Sequence, residues 1–152
     1  MHTNHEFKVA VQWRSQNIPD RKTIKNHIVH ISNKPDLQLS AAKGFKGDER
    51  LYNPEDLLLS SLASCHMMSY LYCCLQHNIE VVSYTDEAIA YLEVYANGSG
   101  RISKVVLQPV VTITNVNQID LALSLHKKAN ELCFIANSCN FIVTHQSTCT
   151  AL

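Results

Sequence analysis

The chain has 152 residues, an apolar content of 46%, and 13 basic side chains against 13 acidic ones. A chain of this length and composition can bury a core as a single domain, or as a domain that pairs with a second copy of itself. The charge balance argues against a surface for nucleic acid or anionic membranes, so neither partner is expected.

The cysteines and the start of the chain bear on its compartment. Residues 1–5 are polar and lack the pattern of a signal peptide, which favours the cytoplasm. In a reducing cytosol, the six cysteines are not expected to form three structural disulfides. No C-x-x-C or H-x-x-x-H spacing occurs, and His27 and His30 fall on opposite faces of a predicted strand, so we expect no metal and no cofactor.

Residues 1–52 are predicted to contribute strands. Alternation of apolar and polar residues predicts one strand over 7–13 and a second over 24–31, and a third is expected over 37–42. A loop with two glycines then leads into the first helix.

The central helix, within residues 53–78, has the clearest start. Asn53 is a favourable N-cap, Pro54 suits the first helical position, and two acidic residues follow where the helix dipole is positive. The helix is predicted to extend to about Gln76, with Asn78 as its stop.

Residues 57–75 contain no Asp, Glu, Lys or Arg and therefore resemble a membrane span. Four serines and His66 interrupt the stretch, and a histidine inside a membrane is costly. A helix buried in a soluble protein is the better interpretation.

The remaining segments complete an α+β order rather than alternating βαβ units. A β-hairpin is predicted over 79–117, with its turn at 97–100 and with Pro109 marking an edge or a bulge in the return strand 105–114. A second helix follows over 118–138, and a closing strand lies within 139–152.

Each predicted helix carries a cysteine within an apolar stretch, Cys65 in the first and Cys133 in the second. Two cysteines far apart in sequence suit thiol redox chemistry, in which one is oxidised and the other resolves it. A buried cysteine also behaves as a small apolar core residue, so helix spacing alone leaves both interpretations open. The other four cysteines have no evident role and are interpreted as core or surface thiols; they are Cys73, Cys74, Cys139 and Cys149.

Helix geometry limits which side chains can serve Cys65. The adjacent His66 points about 100° away around the helix, and Glu55 lies about 15 Å away along the axis. Any base or cation for this thiol must therefore come from elsewhere in the chain or from a second subunit. His126 is about 10 Å along the axis from Cys133, too far for direct contact on one straight helix.

At these residues the chain resembles the OsmC/Ohr family, the osmotically induced and organic-hydroperoxide-resistance proteins. The resemblance rests on Asn-Pro-Glu at 53–55, Ala-Ser-Cys-His-Met at 63–67 and Cys-Phe-Ile-Ala-Asn-Ser at 133–138. It implies curved antiparallel sheets with two main helices in an intertwined homodimer, with two thiol sites at the interface. It also implies that Cys65 is the peroxidatic thiol, that Cys133 resolves it, and that Glu55 supports the site.

The chain departs from the family at one position. The family places an arginine beside the glutamate, two residues before a histidine, and here that place is taken by Lys25 before His27. A lysine lacks the planar fork that bridges a carboxylate and a thiolate. Lys25 is nevertheless the expected cation, with His27 and His66 as expected substrate contacts. The alternative cations are Arg14, Arg21 and Arg50.

The resemblance implies a thiol peroxidase that reduces organic hydroperoxides and is reset by a dithiol of the lipoyl type. The substitution at Lys25 motivates an alternative, a redox sensor or small-molecule binding protein with little turnover.

Overall fold

The computed structural model describes residues 3–15 and 23–152. These residues form two compact units, one within Met1–Leu57 and one formed by Leu58–Leu152. The first long helix, α1 (Pro54–Gln76), begins in the first unit and continues into the second. The helices and strands confirm the predicted α+β class.

The first unit contains a three-stranded antiparallel sheet in the order β1 (Ala10–Gln12), β2 (His27–His30) and β3 (Leu37–Leu39). All three strands are shorter than the alternation in the sequence predicts. The beginning of the predicted second strand forms a 3₁₀ turn instead, Thr23–Lys25.

The start of α1 is built as the sequence predicts. The side-chain oxygen of Asn53 accepts a 2.9 Å hydrogen bond from the backbone N–H of Asp56. The Asp56 carboxylate in turn accepts from the Asn53 backbone N–H at 3.3 Å, so the two residues cap the helix reciprocally, and it also accepts from the Asn53 side-chain amide at 2.7 Å. The helix ends at Gln76, and Asn78 adopts the left-handed conformation (φ 54°) that commonly follows a helix.

By length and composition alone, α1 is able to cross a membrane. Core helices of soluble proteins have the same composition, and one side of α1 packs inside the second unit through Leu62, His66 and Tyr70. The other side exposes apolar residues along the C-terminal half, namely Met68, Leu71, Tyr72 and Leu75.

The second unit contains two three-stranded sheets, which differ from the single hairpin and single closing strand that the sequence predicts. Each sheet pairs two strands antiparallel and adds a parallel strand from the end of the chain, so the sheets are mixed rather than wholly antiparallel. One has the order β4 (Val81–Asp86), β7 (Pro109–Ile113), β9 (Thr148–Ala151), and the other has the order β5 (Ile89–Val94), β6 (Gly100–Leu107), β8 (Ile142–His145).

Pro109 explains why the predicted return strand divides into β6 and β7. It is the first residue of β7, a position where a strand tolerates the missing N–H even though β7 is the central strand. The predicted turn of the hairpin is present, with Gly98 at φ 85°.

The second helix also differs from the prediction, which treats 118–138 as continuous. It divides into α2 (Ile119–Leu132) and a short α3 (Phe134–Asn137), with Cys133 between them.

Two apolar clusters form the core of the second unit. The larger joins the C-terminal half of α1 to α2 and β7, with Tyr70, Cys74, Val111, Ile113 and Ala129 among its members. The smaller joins α1 to β6 through Leu62, Val105, Leu107 and Cys133.

Candidate functional site: two thiols, a histidine column and an N-terminal pocket

The two cysteines singled out from the sequence lie together in the smaller cluster. Cys65 is half-buried on α1, and Cys133 is fully buried between α2 and α3. Cys65 packs against the cluster that contains Cys133, and its thiol contributes to the electrostatics of Cys133. The two thiols are therefore neighbours in the fold, although 68 positions separate them in sequence.

Cys133 owes its position to the interruption of the helix. Its backbone is extended (φ −74°, ψ 109°), which ends α2 and starts α3. Its sulfur accepts a hydrogen bond from the N–H of Ala136 at 3.3 Å and so caps α3. The prediction that Cys133 lies inside a continuous helix is wrong.

Burial dominates the protonation of Cys133. Burial and the neighbouring Cys65 thiol raise the pKa of Cys133 to about 11, and the backbone N–H groups of Ala136 and Ile135 oppose the rise. Cys133 is therefore a protonated thiol at neutral pH. In this state Cys133 is a weak nucleophile, because the thiolate is the reactive form of a cysteine.

Lys25, His27 and Glu55 line one cavity of about 250 Å³ in the first unit. The Lys25 ammonium donates to the carbonyl of Phe45, and His27 Nδ1 donates to the carbonyl of Lys25 at 2.8 Å. Among residues 3–15 and 23–152, no ion pair joins Lys25 to Glu55. The three residues thus share a cavity, and the predicted pairing of Lys25 with Glu55 is not formed.

The alternative cations differ in their surroundings. Arg50 is held by Asp48 through two hydrogen bonds of 2.9 and 2.7 Å. This pair holds the pKa of Asp48 at about 2, so the carboxylate stays charged at neutral pH. Arg14 is exposed in the N-terminal segment, and Arg21 lies outside the described residues.

His66 belongs to a group that the sequence did not reveal. We call His66, His126 and His145 the histidine column, because their rings stack on one another inside the second unit. His66 Nε2 and His126 Nδ1 form a 3.0 Å hydrogen bond. Tyr70 extends the stack, with its ring centre 4.0 Å from that of His126.

Burial lowers the pKa values of the column. The pKa falls to about 3 for His66 and to about 4 for His126, and it is also lowered for His145. His66 is fully buried, so its placement does not support the predicted contact with substrate. The regular apolar spacing around His126 in α2 marks it as inward-facing, but no sequence signal identifies its partners.

The histidine column does not form a metal site. Within the described part of the chain, no group of His, Cys, Asp or Glu has the geometry to hold a metal.

Comparison with known proteins places these features in a family context. Residues 47–147 match the family model described as OsmC-like protein. An OsmC-like protein of unknown function from Vibrio cholerae is 26% identical, with a TM-score of 0.83 over 95% of this chain and 99% of that one. No curated protein matches the chain.

Two organic hydroperoxide resistance proteins share the fold at lower identity. The one from Elizabethkingia anophelis is 18% identical, with a TM-score of 0.71 over all of both chains. The one from Legionella pneumophila is also 18% identical, with a TM-score of 0.68 over 97% of this chain and 99% of that chain.

Proposed function

Because the chain belongs to the OsmC-like protein family, we propose that it is a thiol peroxidase that reduces organic hydroperoxides. The contact between Cys65 and Cys133 is the observation that carries this proposal. A half-buried thiol beside a second, buried thiol is compatible with a two-cysteine peroxidase, in which the second cysteine resolves the sulfenic acid of the first.

The proposed reaction has two steps in the protein. The Cys65 thiolate attacks the O–O bond of the hydroperoxide and becomes a sulfenic acid, and the alkoxide that leaves takes a proton from solvent to give the alcohol. The Cys133 sulfur then attacks the Cys65 sulfur, and its proton leaves with the hydroxyl as water. A lipoyl-type dithiol regenerates both thiols by disulfide exchange, and it is itself oxidised to the cyclic disulfide. We assign this cycle to the cytoplasm, where thiols are kept reduced.

The cation that favours the Cys65 thiolate is proposed to be Lys25, with Glu55 and His27 in support. A positive charge within about 4–6 Å favours the ionised form of a thiol. The family resemblance suggests these residues, and their common cavity in the first unit is compatible with a shared role.

Assembly as a homodimer forms part of the proposal. In the second unit, the C-terminal half of α1 exposes Met68, Tyr72 and Leu75, each more than half accessible. In the first unit, β1 is an edge strand whose segment exposes apolar residues at every second position, namely Phe7, Val9, Val11 and Trp13. Apolar surfaces of this kind favour burial against a second copy.

Sedimentation tests the dimer. Leu75→Asp is expected to shift the protein towards monomer, because it places a charge in the exposed apolar side of α1. Gln76→Asp adds the same charge at the next, polar position and should leave the dimer intact. A stable monomer of the unsubstituted protein at low micromolar concentration would contradict the assembly.

The alternative function is redox sensing or small-molecule binding with little turnover. The hydrogen bond from Lys25 to the Phe45 carbonyl favours it, since the ammonium is engaged elsewhere than on Glu55. Such a protein would be oxidised once and then reduced slowly.

The peroxidase proposal is tested by mixing the reduced protein with cumene hydroperoxide. Mass spectrometry should show the loss of two hydrogens and a link between the peptides of Cys65 and Cys133. With dihydrolipoamide present, steady consumption of hydroperoxide distinguishes the enzyme from the sensor. Failure to form the link would refute the two-cysteine mechanism, whereas a single stoichiometric oxidation would favour the alternative.

A further inference from the structure

The bend at Cys133 is held by a side chain that the proposed reaction does not use. Asn137, at the end of α3, donates from its amide Nδ2 to the backbone carbonyl of Glu131 at 2.9 Å. Glu131 lies in the last turn of α2, so this hydrogen bond joins the two helices on either side of Cys133.

The change of chain direction at Cys133, between α2 and α3, sets the orientation of the Cys133 sulfur. The sulfur caps α3 through the N–H of Ala136, and the N–H of Asn137 donates to the Cys133 carbonyl at 3.0 Å. A short helix of four residues has little stability of its own. Without a fixed connection to α2, α3 would be free to tilt, and the sulfur would lose both its hydrogen bond and its alignment with Cys65.

From these contacts we propose that Asn137 is a positioning residue for Cys133, which holds its sulfur in line to attack an oxidised Cys65. The inference depends on the proposed pairing of the two thiols and extends it to the second step of the reaction. Asn137 touches neither sulfur through its side chain and acts through the α2–α3 bend.

The second step can be followed without a hydroperoxide. With 4,4′-dithiodipyridine, the Cys65 thiolate displaces one pyridine thiolate and becomes a mixed disulfide. The Cys133 thiol then loses its proton to solvent and its sulfur attacks the Cys65 sulfur, the second pyridine thiolate leaves, and the Cys65–Cys133 disulfide remains. Mass spectrometry of quenched samples measures both species on their own peptides, so the other cysteines do not confuse the result.

Asn137→Ala is expected to slow the second step by about ten-fold and to leave the first step unchanged, because only the alignment of Cys133 is altered. Asn137→Gln keeps an amide donor and should recover part of the rate. The matched control is Ser138→Ala, which removes the hydrogen bond from Ser138 to the Phe134 carbonyl within α3 without crossing the bend, and both rates should be retained.

The outcomes separate the two proposals. Equal second-step rates in the unsubstituted protein and in Asn137→Ala would overturn the role of Asn137 while leaving the thiol pairing intact. A loss of both steps in Asn137→Ala would show a general structural role instead, and would also overturn the inference. Absence of the Cys65–Cys133 link in the unsubstituted protein would refute the pairing and, with it, any role of Asn137 in the pairing.

Discussion

Acidification should destabilise the second unit through the histidine column. Burial lowers the pKa of His66 to about 3 and that of His126 to about 4, against an ordinary value of 6.5. The folded protein therefore keeps both rings neutral at a pH where the unfolded chain protonates them. Because the unfolded state binds more protons, the free energy of unfolding falls as the pH drops from about 6.5 towards about 4.

The size of the effect follows from the number of protons. The two additional protons of His66 and His126 on the unfolded chain lower the free energy of unfolding by roughly 3 kcal/mol for each pH unit within that window, and His145 acts in the same direction. Over a window of roughly 2.5 pH units the two groups remove about 7 kcal/mol, a large part of the stability of a domain, which is about 5–15 kcal/mol. Burial raises the pKa of Asp86, which acts in the opposite direction and reduces the slope at the acid end.

Urea unfolding at fixed protein concentration, between about pH 7.5 and pH 5, measures this slope. His126→Phe keeps an aromatic ring against Tyr70 but cannot take up a proton, so the slope should fall by the contribution of one proton, about 1.4 kcal/mol per pH unit. His5→Gln removes an exposed imidazole and should leave the slope unchanged. A free energy of unfolding that does not change with pH, or an unchanged slope in His126→Phe, would refute the reasoning.

Substitutions at three further positions test the helix start, the core and the proposed cation. Asn53→Ala removes the cap on the Asp56 N–H and should lower the free energy of unfolding by about 1 kcal/mol in a urea titration, and a loss near zero would contradict the capping role. Leu62→Ala opens a cavity at a fully buried position and should cost about 2–5 kcal/mol by the same method, whereas a smaller loss would mean that the cluster collapses around the gap. Lys25→Met should slow alkylation of Cys65 by iodoacetamide at neutral pH, and Lys25→Arg should keep the rate. Equal rates in the unsubstituted protein and in both variants would mean that another cation favours the thiolate.

The features set by local chemistry could be predicted from the sequence. The limits of α1 follow from Asn53 at its start and Asn78 beyond its end, and both residues act as expected. The turn at Gly98 follows from its tolerance of a positive φ. These signals depend on neighbours within a few residues, which a sequence displays directly.

The features set by distant contacts could not be predicted. No glycine or proline marks the break at Cys133, which is formed by hydrogen bonds across the α2–α3 bend. The histidine column joins residues 60 positions apart, and helix spacing shows only that His66 and His126 face inward. The prediction that Cys65 and Cys133 react with each other came from the family resemblance, because helix spacing alone does not place the two cysteines side by side.

The parallel strands β8 and β9 have a consequence for the order in which the second unit folds. Residues 142–151 supply one of the two edge strands of each sheet, and each of these strands pairs with a strand that was synthesised nearly 40 residues earlier. During translation, one edge of β6 and one edge of β7 therefore keep unpaired backbone N–H and C=O groups until these last strands have been synthesised. Pairings of long sequence separation form slowly, and exposed strand edges promote aggregation, so the nascent chain is most vulnerable just before this segment is made. Translation speed over residues 108–141 would thus influence the yield of folded protein.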